Sequence, residues 1–138
     1  MKANFETIDN YALNFGNQHI DIHNNFQLVE FIYSFEENFL SLRFKKIKGD
    51  WVKESEPDSF SLNHYDLKYL NMDEPNNELI KSDRTCVGEI TFYPSDRRQE
   101  NDSMMNKKKP DSDDDIIYFL ESEQCIRIHC LEIRLEGL

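Results

Sequence analysis

The sequence predicts a mainly β protein, an antiparallel β-sandwich or a curved sheet with at most one or two short helices. Three observations carry that expectation: period-two alternation in several segments, abundant β-branched and aromatic residues, and few windows of helical spacing. The firmest segment is Phe26 to Phe35 (FQLVEFIYSF), then the polar Glu36-Glu37-Asn38, then Leu40, Leu42 and Phe44 alternating with Ser41, Arg43 and Lys45. Two strands around a short polar turn make a hairpin. Within the first strand, Phe26 and Leu28 share one face, and Val29, Phe31, Tyr33 and Phe35 continue out of phase. That slip predicts either a bulge or a strand buried on both sides.

The remaining elements follow in chain order. In Glu6 to Gly16, Ile8, Tyr11, Ala12 and Phe15 fall at helical spacing, with Thr7 as N-cap and Gly16 as a stop, which favours a short helix or irregular lead-in over a strand. Lys48-Gly49-Asp50 is a turn, and Pro57 breaks the polar run after Trp51-Val52. Phe60 to Leu70 alternates with one change of phase, and Cys86 to Tyr93 is a further strand with Cys86, Gly88, Ile90 and Phe92 on one face. Residues 94–115 (PSDRRQENDSMMNKKKPDSDDD) are almost wholly polar and read as a long mobile loop. Ile116 to Leu120 and Cys125 to Leu135 pair as a terminal hairpin, with a bulge near Cys130 reconciling its two phases. About seven strands at regular spacing favour the sandwich or curved sheet over an α+β alternative.

Composition bounds the function. A chain of 138 residues, read as one domain over 1–138, is long enough to bury a core, and ten Phe and six Tyr exclude a disordered polymer. The excess of 27 acidic over 16 basic residues gives a net charge of −11. Such a field disfavours nucleic acid and anionic membrane as direct partners and draws basic proteins. The N-terminal segment carries no signal-like apolar run and no stretch is long enough to span a bilayer, so a cytoplasmic location is expected. Three cysteines, Cys86, Cys125 and Cys130, without CxxC spacing, read as buried, reduced thiols.

Chemical motifs are sparse. Four glycines cannot build a phosphate-cradling loop, and no nucleophile-elbow, zincin or calcium-loop pattern is present. No cofactor or catalytic activity is therefore expected. The exception is His19-Ile20-Asp21-Ile22-His23, which on a strand would place two imidazoles and a carboxylate on one face, a weak candidate metal site or enzyme centre whose ordinary reading is a solvated strand face. His64 and His129 read as structural residues. Acids cluster at Glu54, Glu56 and Asp58, at Asp73, Glu74 and Glu78, and at Asp111, Asp113, Asp114 and Asp115. Solvated loops are the common meaning of such runs, but a binding protein would use them toward a basic partner. Glu54, Glu56, Asp58, Asp111, Asp113, Asp114 and Asp115 are the expected partner-binding residues. Trp51 and Tyr69 are candidate aromatic anchors, and both also suit a core. A generic interaction module, oligomeric through a sheet edge, is a further alternative.

His23-Asn-Asn-Phe-Gln-Leu-Val-Glu-Phe-Ile-Tyr33, Phe39-Leu-Ser-Leu-Arg-Phe44 and the closing segments Phe119 to Ser122 and Ile126 to Leu135 together resemble bacterial immunity proteins of polymorphic-toxin and contact-dependent inhibition systems, and Phe60 to Leu70 fits the same pattern loosely. The resemblance covers about half the chain, in pieces made mostly of strand patterning, and departs where Asn24 stands in place of an Asp. It implies a cytoplasmic antidote that binds a toxin domain, often a basic nuclease, and occludes its active site.

Overall fold

The N-terminal segment forms strands, not the expected helix. In the computed structural model, which describes residues 1–52, 54–75, 78–100 and 105–138, β1 (Lys2–Ala3) is followed by β2 (Glu6–Ile8) and β3 (Ala12–Phe15). Asp9 and Asn10, at the turn between β2 and β3, have φ of 47° and 63°. Two successive left-handed residues give the turn whose twist matches a hairpin, and Asp and Asn tolerate that region. The helical spacing was a coincidence of this turn with the strand phases. A second turn at Gly16 (φ 59°) leads into β4 (Gln18–Asp21), completing a three-stranded antiparallel sheet in the order β2-β3-β4. The chain then makes one helical turn, α1 (Ile22–Asn25), capped by Asp21, whose carboxylate accepts from the Asn24 backbone N–H at 2.9 Å.

The larger sheet follows: β5 (Phe26–Ser34), β6 (Phe39–Lys46), β7 (Ser59–Met72), then α2 (Lys81–Thr85), β8 (Val87–Pro94), a 3₁₀ turn at Ser95–Arg97, β9 (Asp114–Leu120) and β10 (Cys125–Glu136). Its order is β5-β6-β7-β10-β9-β8, all antiparallel, with β1 adding to β10 in parallel. The fold is thus mainly β, as expected. Both predicted hairpins are present, joined by the predicted turns. The phase slip in β5 is a bulge between Leu28 and Glu30, and that in β10 is a register shift between His129 and Cys130. A third bulge, between Val87 and Glu89, removes Cys86 from the face expected to carry Ile90 and Phe92.

The sheet curves without closing. β5 and β8 are its two ends, and α1 touches both of them while α2 touches β5 and β9. One principal core fills the inside. Leu40, Leu42, Phe44, Phe60, Leu62, Ile90, Phe92, Ile116, Tyr118, Ile126, Ile128 and Ile133 supply it from the large sheet, and Leu13, Ile20 and Ile22 from the N-terminal segment. Phe60 anchors it, with Phe44 stacked at 4.9 Å and Phe26 edge-on at 5.0 Å. Burying such side chains is worth about 1.5–3 kcal/mol each.

The segment after β8 crosses the opposite face of the sheet. Asp115 and Arg127 are fully buried there, with Arg127 Nε 2.7 Å from Asp115 Oδ2 and a second guanidinium, from Arg98, bidentate on the same carboxylate at 3.0 Å. Arg127 also donates to the Pro94 carbonyl at 2.9 Å, and Arg98 lies over the Tyr69 ring at 3.7 Å. Further along, the Thr7 hydroxyl donates to the Lys107 carbonyl at 2.7 Å and its N–H to the Lys108 carbonyl at 3.0 Å, which fastens that stretch to β2. The described parts of the predicted 94–115 loop are therefore tied down, and Asp114 and Asp115 belong to β9. Residues 101–104, inside that loop, lie outside the described residues. No helix among the described residues is long and apolar enough to cross a membrane.

Candidate functional site

The seven acids expected to meet a partner separate into two groups. Glu54, Asp58, Asp111 and Asp113 are exposed. Glu56, Asp114 and Asp115 are buried and serve the fold, which corrects the expectation for those three. Glu56 accepts from the Asn25 side chain at 2.7 Å and from the Asp21 N–H at 3.2 Å, holding the β6–β7 connection against α1. Asp114 accepts from Lys107 Nζ and from the Asp111 N–H, both at 2.7 Å. A carboxylate taken out of water must find such donors nearby, and these have found them within the chain.

The expected His19-Asp21-His23 face does not form. The strand ends at Asp21, whose side chain is spent on capping α1, and the helical turn swings His23 away. His19 stays on β4 beside Tyr11, and with Asp21 lines a polar pocket of about 530 Å³ that also includes Trp51 and Glu56. Trp51 is exposed and stands at the rim of this pocket, not in the core. Tyr69 is covered by Arg98, so it anchors the 95–100 segment.

His23 meets a different set of residues. Its Nδ1 lies 3.6 Å from Cys86 Sγ, 3.7 Å from Glu121 Oε1 and 3.2 Å from the Val87 carbonyl. Among the described residues this is the one group of three metal-ligating side chains whose donor atoms gather within 4.8 Å. Three elements deliver it: α1, the junction of α2 with β8, and the β9–β10 turn. Cys86 is only half-buried, unlike Cys125 and Cys130, and all three are free thiols. Burial first, then the carboxylates of Glu121 and Asp83, push the Cys86 thiol pKa up. A thiol held protonated, beside an imidazole that offers the same nitrogen to both Cys86 and Glu121, is not arranged as a nucleophile with its base. Nothing in the sequence spacing brings His23, Cys86 and Glu121 together, since they are united only by the tertiary fold.

The other feature is apolar. β5 ends the large sheet, so among the described residues one edge of it has no strand partner. It leaves Val29 (42 %), Phe31 (37 %) and Ile32 (52 %) exposed, and Phe35 beyond it stands 90 % exposed. Leu28, Val29 and Phe31 line a shallow groove of about 190 Å³ with Met72, Leu120 and Ile126 across from them, and Arg84 and Glu30 at its border. Exposed carboxylates of Glu36, Glu37, Asp73 and Glu74 follow β5 and β7 directly in the chain. The sequence signal for this surface was the run FQLVEFIYSF, apolar in both phases, which reads equally as a doubly buried strand.

The architecture defines a mainly β protein with a curved, open sheet. No family model matches the chain, and no curated protein or solved structure is found to match it. The resemblance to immunity proteins accordingly gains no support from these comparisons.

Proposed function

We propose that this protein is a binder, not a catalyst, and that it acts as a cytoplasmic immunity-type antidote holding a basic toxin domain against the edge of β5 so as to occlude its active site. The observation that carries the reading is the row of exposed apolar side chains on the terminal strand β5, whose outer edge has no strand partner among the described residues, in a chain of net charge −11. Sheet edges are ordinarily protected by charge, proline or a covering element, and an apolar edge left open marks a place where another chain adds. Charge selects the occupant. Two copies of this protein would each bring −11 to a shared edge, so self-association is opposed by the same field that favours a basic partner. The antidote role rests on the sequence resemblance, and the chemistry of the surface suits it.

The test is direct. The protein is co-expressed with the product of the gene immediately upstream of its own, where the toxin of an antidote would be encoded, and complex formation and relief of that product's toxicity are measured. A 1:1 complex is expected. The double variant Phe31→Ser, Ile32→Ser should keep its fold, because both side chains are exposed, and should weaken the complex by about tenfold or more, as loss of an interface anchor does. A complex unaffected by this variant would remove β5 from the interface.

A further inference from the structure

We propose that His23, Cys86 and Glu121 form a zinc-binding site with an open fourth position. Around a tetrahedral zinc with bonds of about 2.0 Å to nitrogen and oxygen and about 2.3 Å to sulfur, neighbouring ligand atoms stand roughly 3.3–3.6 Å apart. In this protein Nδ1 of His23 is 3.6 Å from Cys86 Sγ and 3.7 Å from Glu121 Oε1. The edges of the ligand triangle that meet at the imidazole are therefore already near the length a zinc ion needs.

The backbone holds the triangle in place. The Glu121 N–H donates to the Cys86 carbonyl at 2.9 Å, and the Ser122 N–H to the Asp83 carbonyl at 3.0 Å, which fastens the β9–β10 turn to the α2–β8 junction. The His23 N–H donates to the Tyr11 carbonyl at 3.2 Å, which fixes α1 on the N-terminal sheet. Gly88 makes room for the third ligand, since a Cβ there would stand 2.5 Å from Glu121 Oε1. A site whose ligands are positioned before the ion arrives binds without a large ordering cost.

The donor set chooses the metal. One thiolate, one imidazole and one carboxylate are soft and borderline ligands that suit zinc and disfavour magnesium or calcium, which demand oxygen. Thiolate and carboxylate together balance the charge of a divalent ion, and Asp83, lining the same pocket of about 440 Å³, adds further negative potential. That pocket opens over the cluster, so the fourth position faces solvent, the pattern of three protein ligands and one exchangeable one. On binding, the Cys86 S–H bond breaks, the electron pair goes to the metal and the proton goes to solvent. The His23 ring proton, which in the tautomer facing the Val87 carbonyl sits on Nδ1, moves to Nε2, with no net change in protons at that residue. Metal-bound, the site ties α1, the α2–β8 junction and the β9–β10 turn together between the ends of the open sheet.

The experiment uses the full chain, stripped with a chelator and titrated with Co²⁺ and then Zn²⁺, and it needs no partner protein. One equivalent of Co²⁺ should give a thiolate-to-cobalt charge-transfer band and tetrahedral visible bands, both displaced by one equivalent of Zn²⁺. Cys86→Ser should abolish the charge-transfer band, and Glu121→Gln, an exposed change that leaves the fold intact by circular dichroism, should weaken Zn²⁺ binding by about tenfold or more. Absence of the band in the unaltered protein overturns the proposal. So does a band that survives Cys86→Ser, which would assign the metal to another thiol.

Discussion

His64 shows how one buried polar side chain becomes part of a core. It is fully buried, with Nδ1 2.9 Å from the Leu40 carbonyl and Nε2 2.9 Å from the Tyr118 hydroxyl. A carbonyl only accepts, so Nδ1 carries the proton and Nε2 accepts from Tyr118, and both ring nitrogens are satisfied by the neutral form. Burial lowers its pKa from 6.5 to about 4, partly offset by the Leu40 carbonyl. The unfolded chain thus takes up a proton below pH 6.5 that the folded protein refuses until about pH 4. Stability from this residue is complete above the upper value and is lost on acidification through that window, by about 3 kcal/mol in all. Denaturant unfolding as a function of pH should show that slope, and His64→Gln should flatten it; an unchanged slope in the variant would assign the acid sensitivity elsewhere. The structural role of His64 was legible in the sequence from its place among alternating apolar residues. Its tautomer was not, because Leu40 and Tyr118 come from other strands.

At the scale of elements, strands with strict alternation were readable and short ones governed by turns were not. The β5–β6 and β9–β10 hairpins, and the bulges that shift their phase, follow from local patterning that packing then reinforces. The β2–β3 hairpin was hidden because its deciding residues, Asp9 and Asn10, act through backbone conformation, and apolar spacing pointed to a helix. The charged run before β9 misled for a related reason. Burial of Asp114 and Asp115 depends on cations supplied from elsewhere in the chain: Lys107 for Asp114, and Arg98 and Arg127 for Asp115. The Asp115 cluster is the clamp that holds the 95–100 segment on the outer face of the sheet. Asp115→Asn removes the buried carboxylate that Arg98 and Arg127 share and should destabilise the protein by about 3–5 kcal/mol in chemical denaturation. A loss below about 0.5 kcal/mol, as at an ordinary surface position, would show that the clamp is not needed for folding.

For the whole molecule, the fold class was visible from composition and periodicity, whereas the surfaces that matter arise from the curvature of the sheet. Sheet curvature brings β5 near α2 and β9, opening an apolar groove beside exposed acids, and the same curvature assembles His23, Cys86 and Glu121. Charge acts at this scale too. Glu54, Asp58, Asp111 and Asp113 need not touch a partner to matter, since the field of all exposed acids sets the encounter rate. Reversing these four to Lys changes the charge by two units each and takes the chain from −11 to −3. The most direct test of an acidic binder for a basic partner is the association rate with the product of the gene immediately upstream, followed by stopped flow at rising ionic strength. A fast rate that falls steeply with salt is expected in the unaltered protein, and a slower, flatter one in the four-fold variant. No complex, or a rate indifferent to both salt and charge reversal, would contradict it.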